Sequence, residues 1–286
     1  MHLRYEAPES VAHAVRLIQA DSDARVIAGG TDLIVRWRAG QEAPSAFIDI
    51  KRIPELGRIV VDGELRLGAA VPAAEICEHD ELHQLWPGFV EAVHLIGSSQ
   101  IQGRASVGGN LCNASPAADT TCALIVNQAQ CVVAGPGGER IVPADRFCLG
   151  PGRTVLGPGE LLVEIRLPRP GPRTADAYLR LIPRSEMDIA VAGAAVRVML
   201  DAAGRCTSAD VAIGAVAPTA LVVPEAAAAL VGTTVDEAAL DRAAEAARAA
   251  ARPIDDVRGT ADYRRAVVGV LTKRAASLAA TRARAR

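Results

Sequence analysis

Two glycine pairs carry the strongest chemical signal in this chain. Gly29 and Gly30 sit in VIAGGTDLIV (26–35), Gly108 and Gly109 in SVGGNLCNASPAAD (106–119). In the first stretch an apolar run, Val26-Ile27-Ala28, passes through the glycines into Thr31, Asp32 and Leu33, where helical spacing begins. A strand that turns through Gly-Gly into a helix leaves backbone N–H groups unpaired, and glycine lets an anion approach them closely. Phosphate is the natural guest. Thr31 adds a hydroxyl donor, and Asp32 stands where it would cap the next helix. In the second stretch Ser106 precedes the glycines, and small residues continue to Asp119, so an extended ligand has room against the backbone. Asn110 can donate and accept hydrogen bonds, and Asp119 can accept from sugar hydroxyls. Neither stretch is G-x-G-x-x-G or a Walker loop. Alone, the first reads more readily as a structural turn and the second as either; together they favour one long diphosphate ligand.

The other common chemistries are thinly represented. Among five histidines (His2, His13, His79, His83, His94), His79 and His83 are spaced i, i+4, but no third metal ligand accompanies them, so a solvated helix face is the plainer reading. Six cysteines show no C-x-x-C pair and no zinc-type spacing to histidine, which predicts free thiols and no iron–sulfur cluster. No G-x-S-x-G elbow appears. Glu160, Glu164, Asp176, Glu186 and Asp188 read as solvated or ion-paired carboxylates.

The elements that must hold the glycine pairs follow from pattern. PESVAHAVRLIQA (8–20) puts Val11, Ala14, Val15 and Ile18 on one helical face. Strands at 25–28 and 46–50 flank a helix over 32–39, an arrangement that makes the strands parallel. Asp62-Gly63 marks a hairpin, 71–82 a helix, and ELLVEIRLP (160–168) a half-buried strand. PRPGPRT (168–174) reads as a domain joint, followed by strands near 177–182, 189–200 and 206–216. Thr234-Val235-Asp236-Glu237 reads as a capping box opening a helix that stops before Pro253, and a last helix starts near Thr260.

Bulk composition bounds the partners. Of 286 residues 50% are hydrophobic, 22% charged and 3% aromatic, with net charge −2. That balance argues against nucleic acid and against an anionic membrane surface. The N-terminal residues lack a signal-peptide layout and no apolar run spans a bilayer, so a cytoplasmic protein with no membrane span is expected.

Taken together, AGGTDLIVRWR and QIQGRASVGGNLCNASPAAD resemble the two FAD-binding motifs of the medium, flavin-carrying subunit of molybdenum hydroxylases, the family of the carbon monoxide dehydrogenase and xanthine dehydrogenase flavoproteins. PIDDVRGTADYRRAVVGVLTKRA (253–275) resembles the family's C-terminal signature. The resemblance implies an α+β fold: a PCMH/VAO-like FAD-binding domain over 1–170, in subdomains of about 1–54 and 55–170. A C-terminal domain over 175–286 would add a three-stranded antiparallel sheet with helices. It implies FAD held by the backbone from Val26 to Leu33, by Ser106, Gly108, Gly109 and Asn110, with Asp119 on a sugar-chain hydroxyl, Leu162 packed near the ring and Arg180 near the flavin. No catalytic side chain and no metal ligand is implied. Where the family commonly carries Arg-Asn, this chain has Gln102-Gly103. The implied partners are a large molybdopterin-binding subunit and a small 2Fe-2S subunit, as a dimer of heterotrimers, with an external electron acceptor. The alternatives are a stand-alone flavin oxidoreductase of the UDP-N-acetylmuramate dehydrogenase type and a non-redox assembly or binding module. A bulky change such as Gly30→Val is expected to remove FAD and leave a folded chain.

Overall fold

A computed structural model describes residues 3–286, so His2 lies outside the described residues. The first layer runs β1 (Arg4–Glu6), α1 (Val11–Ala20), β2 (Arg25–Ile27), α2 (Leu33–Arg38) and β3 (Ala46–Asp49). Strand β3 is central and parallel to both β1 and β2. The β2–α2–β3 crossover therefore has the parallel sense that its spacing predicts, while the three-residue β1 was not read from the sequence. Helix α1 starts at Ser10, whose hydroxyl accepts from the His13 N–H, and buries Ala14 and Val15. Helix α2 is different: four of its six residues are apolar, yet none is buried. It spans less than two turns, so its macrodipole is small.

The second layer is an antiparallel sheet in the order β4-β5-β10-β6-β7, made of β4 (Ile59–Asp62), β5 (Glu64–Gly68), β6 (Gln130–Gly135), β7 (Gly138–Pro143) and β10 (Leu161–Pro168). The short strands β8 (Cys148–Gly150) and β9 (Arg153–Thr154) pair only with each other. The β4–β5 hairpin turns through Gly63 at φ +70, as Asp62-Gly63 predicts. Between β5 and β6 lie six helices: α3 (Ala73–Cys77), α4 (Asp80–Leu85), α5 (Pro87–His94), α6 (Ser99–Gln102), α7 (Val107–Asn113) and α8 (Asp119–Val126). The single helix expected over 71–82 is thus broken. His79 is extended there (φ −90, ψ 102), and the His83 ring bonds the Cys77 carbonyl at 2.7 Å. Gln102 is buried with its amide on the His94 carbonyl at 2.7 Å, a structural role.

The third layer is antiparallel, β11 (Thr174–Leu181), β12 (Ala192–Leu200), β13 (Cys206–Gly214) and β14 (Leu221–Val222) in sequence order, so a two-residue edge strand joins the three expected. Helices α9 (Pro224–Leu230), α10 (Glu237–Ala250) and α11 (Ala261–Arg284) follow. Buried alanines at 243, 247, 275, 276, 279, 280 and 283 belong to the core these helices share with the sheet; small side chains let the backbones approach closely. The capping box is displaced: Val235 turns the chain at φ +53, and Asp236, not Thr234, caps α10 through the Ala239 N–H at 3.0 Å.

One carboxylate ties the second layer to the third. Asp176 on β11 is 2% exposed, neither solvated nor ion-paired as its sequence context predicts. It accepts from the N–H groups of Gly88 (3.0 Å) and Phe89 (2.9 Å) at the start of α5, and from the Asn127 amide at 2.7 Å. The Arg282 guanidinium pairs with Glu91 and donates to the Asp176 carbonyl at 3.0 Å, closing the same seam. Among the described residues no helix is long and apolar enough to cross a membrane.

Candidate cofactor-binding site

A cleft of about 330 Å³ opens between the first and second layers, within the size range of cofactor sites. One wall is the loop from Val26 to Leu33, with Arg25, Arg36, Glu42 and Ile50. The other is Ala105, Ser106, Gly108, Gly109, Asn110, Cys112 and Asn113, and Ala69, Ile96, Leu156 and Glu160–Leu162 also line it. Thirteen of the fifteen residues expected at the cofactor therefore share one cleft: Val26 through Leu33, Ser106, Gly108, Gly109, Asn110 and Leu162. Asp119 and Arg180 do not line it.

The glycines have separate reasons. A Cβ on Gly29 would fall 1.9 Å from the Arg104 carbonyl oxygen, because the first loop rests directly on the backbone leading into the second motif. Gly30 is at φ +73, a conformation few other residues adopt. A Cβ on Gly108 would fall 2.3 Å from the Ala69 oxygen. A Cβ on Gly109 would meet no main chain, only the Ser106 hydroxyl at a tight 3.1 Å.

The donors are distributed unequally. Among the described residues, the backbone N–H groups from Gly29 to Leu33 donate to nothing within the chain. Five successive free amides form an anion cradle without help from a long helix. Lys51 steadies this loop by donating to the Ala28 carbonyl at 2.7 Å and to Asp49 at 2.6 Å. In the second motif the Gly109 N–H is already spent on the Ser106 hydroxyl, which caps α7 at 3.0 Å. The Gly108 N–H beside it donates to nothing within the chain, so among the described residues that motif adds a free amide to its bare surface. Asn110 gives its carbonyl oxygen to the Thr120 hydroxyl at 2.6 Å, leaving its NH₂ to donate. Asp32 makes no cap bond to α2 and instead accepts from the Asn113 amide at 3.3 Å.

The apolar wall is strand β10. Leu162 is 3% exposed, and the ladder to β6 shifts register between Leu162 and Glu164, a bulge of the kind that re-aims side chains beside sites. Glu160 is occupied by a bidentate Arg140 (2.8 and 2.6 Å) and by the Gly157 N–H, and Arg140 holds its carboxyl down at about 2.

Asp119 and Arg180 meet each other outside the cleft's lining. Asp119, on α8, accepts from the Tyr178 hydroxyl at 2.8 Å and from Arg180 Nη1 at 2.5 Å, and Arg180 Nε is buried with no partner in the chain. Burial pushes the Asp119 carboxyl up to about 6, against Arg180 and Tyr178, which hold it down. A folded value above the unfolded one, about 3.9, means the fold binds that proton more readily than the unfolded chain. Stability contributed by this group is therefore full below about pH 4 and lost as pH rises towards 6. Asp119→Asn should be pH-independent at this position, so its thermal midpoint should gain on the parent's between pH 4 and pH 7. A constant difference across that range would mean Arg180 fully offsets the burial.

Sequence reasoning missed Arg36, Glu42, Asn113 and Tyr178. Arg36 and Asn113 lie inside the quoted motifs but meet across 77 positions, a contact that local spacing does not signal.

Comparisons with known proteins identify the family. A family model described as the FAD binding domain in molybdopterin dehydrogenase matches residues 1–170, and one for the CO dehydrogenase flavoprotein C-terminal domain matches 177–279. The carbon monoxide dehydrogenase medium chain of Hydrogenophaga pseudoflava is 37% identical over 277 residues, 96% of each chain. A solved carbon monoxide dehydrogenase from the same organism, lacking the Mo-pyranopterin moiety, superposes with TM-score 0.94 over 99% of this chain and 98% of that one, at 37% identity. Quinoline 2-oxidoreductase from Pseudomonas putida 86 gives 0.92 at 28% identity, covering 99% and 98%. With its two glycine loops around one cleft and both family models matched in order, the chain belongs to the FAD-binding medium subunits of the molybdenum hydroxylases, a family of oxidoreductases.

Proposed function

We propose that this chain is the electron-transfer subunit of a three-component molybdenum hydroxylase, working with a large molybdopterin-binding subunit and a small 2Fe-2S subunit as a dimer of heterotrimers. The observation that carries this reading is the convergence of both glycine motifs on one cleft beside five unpaired amides. In this arrangement residues 1–170 form the cofactor-binding unit and 175–286 the second unit. The amides from Gly29 to Leu33 take the diphosphate, Ser106, Gly108, Gly109 and Asn110 line the path of the chain, and Leu162 meets the ring. Asp119 and Arg180, which do not line the cleft, pair with each other and with Tyr178 instead.

Held there, FAD would supply the redox chemistry that links partner clusters to an external acceptor. This chain's own residues bind, orient and exclude water. The closed backbone contact at Gly29 and the apolar wall of Ile27, Ile50, Leu161 and Leu162 do the last of these. Purification provides the test. A yellow chain with one FAD each, accompanied by large and small partners, is the expected result. A colourless chain that stays colourless when FAD is added would refute the reading, and a yellow chain that never acquires partners would favour a stand-alone flavin oxidoreductase.

A further inference from the structure

The cleft's wall is not neutral towards a diphosphate. Its lining includes three carboxylates, Asp32, Glu42 and Glu160, and two guanidinium groups, Arg25 and Arg36. Glu160 is committed to Arg140. Arg25 spends Nη1 on the Ser22 and Ala24 carbonyls, and its Nε stands 3.6 Å from Glu42 Oε2, so Glu42 faces both guanidinium groups. Arg36 is held less completely. Its Nε lies 2.8 Å from Glu42 Oε1, yet both Arg36 Nε and Glu42 Oε2 are buried without a hydrogen bond. The contact is a charge pair with poor alignment. Arg36 Nη1 meanwhile donates to Asn113 Oδ1 at 2.6 Å, so the side chain reaches from α2 to the end of α7, joining the two motifs.

We propose that Arg36 is a side-chain clamp for the diphosphate of the dinucleotide, supplementing the backbone cradle, and that Glu42 is the carboxylate that holds the guanidinium until the diphosphate replaces it. The proposal rests on the FAD reading above. Its chemistry is that of the planar guanidinium fork, which matches phosphate oxygens two at a time and makes charge-assisted bonds stronger than those from neutral amides. A diphosphate offers more acceptor oxygens and charge than Glu42 in its misaligned contact, so the exchange improves the pairing of Arg36. The bare amides from Gly29 to Leu33 place the anion, and Arg36, on the helix that follows directly, supplies the positive side chain.

Full-length chain, in whatever assembly it purifies with, would be stripped of flavin and titrated with FAD, following flavin fluorescence quenching. Arg36→Gln should weaken FAD binding by about tenfold or more, with Arg36→Lys between it and the parent. Glu42→Gln should bind FAD at least as tightly as the parent, because it frees the guanidinium. The flavin-free thermal midpoints report whether each variant is folded. Parent-like FAD affinity in Arg36→Gln would overturn the proposal. Weakening of similar size in Arg36→Gln and Glu42→Gln would overturn it too, since that is how a merely structural ion pair behaves. Failure of the parent chain itself to bind FAD would instead strike at the function proposed above.

Discussion

Gly29→Ala should dismantle the cleft rather than merely empty it. The added methyl would stand 1.9 Å from the Arg104 oxygen, 2.4 Å from its carbon and 2.9 Å from the Ala105 nitrogen. All three are main-chain atoms, so no rotamer change relieves the clash. The first loop must separate from the segment that leads into α7, at a cost of about 3–5 kcal/mol and a fall in thermal midpoint on the order of 10 °C. Gly109→Ala is the matched control. Its Cβ meets only the Ser106 hydroxyl at 3.1 Å, so the flavin-free chain should melt within a few degrees of the parent while FAD retention drops. Differential scanning calorimetry beside flavin absorbance separates the two. A Gly29→Ala chain as stable as the parent would show that the loops do not touch as described. Gly30→Val, which the sequence alone marks as the clean probe, is a poor one: at φ +73, with Ile34 Cδ1 at 2.8 Å and Ile27 Cδ1 at 2.9 Å, a β-branched side chain strains the backbone whether or not a cofactor is bound.

Asp176→Ala should be nearly as damaging, from the opposite side of the molecule. The carboxylate satisfies three donors at once, the Gly88 and Phe89 N–H groups and the Asn127 amide. Burial already pushes this carboxyl up, so its bonds are what offset the cost of the charge. Truncation leaves three buried donors unpaired, about 3–5 kcal/mol. The backbones here are too close for repair by larger side chains: a Cβ on Gly88 would lie 2.6 Å from Ala177 Cα. Urea denaturation should show a lower midpoint for Asp176→Ala, with Asp176→Asn recovering part of it by keeping one acceptor oxygen. An unfolding free energy within about 1 kcal/mol of the parent's would mean that water replaces the carboxylate and that the seam does not depend on it.

What the sequence made legible was local. Both glycine motifs, the β2–α2–β3 crossover, the Asp62-Gly63 hairpin and the long strands of the third layer announce themselves within a dozen residues. The helices α5 to α8 did not. All eight residues of α8 are buried, so the alternation of polar and apolar faces on which helix reading depends is absent there. Helix α2 misleads in the reverse sense, apolar in sequence but unburied in the fold. The site was legible as two loops, but not as a cleft. Arg36 finds Asn113 only after folding, and Asp119, read as a sugar contact, bonds Tyr178 and Arg180 outside the cleft's lining. These partners come from elements separated by tens of residues, which no periodicity encodes.

The contact between Gly29 and the Arg104 carbonyl has a consequence for descent. The requirement for glycine there is set by the protein's own main chain, whereas at Gly109, where a Cβ would meet only the Ser106 hydroxyl at 3.1 Å, the proposed function makes the cofactor the second constraint. A descendant that abandoned flavin would be freed from the second constraint and still bound by the first. Gly29 would outlast the cofactor as a record of architecture, and drift at position 109 would be the earlier sign that the ligand had been lost.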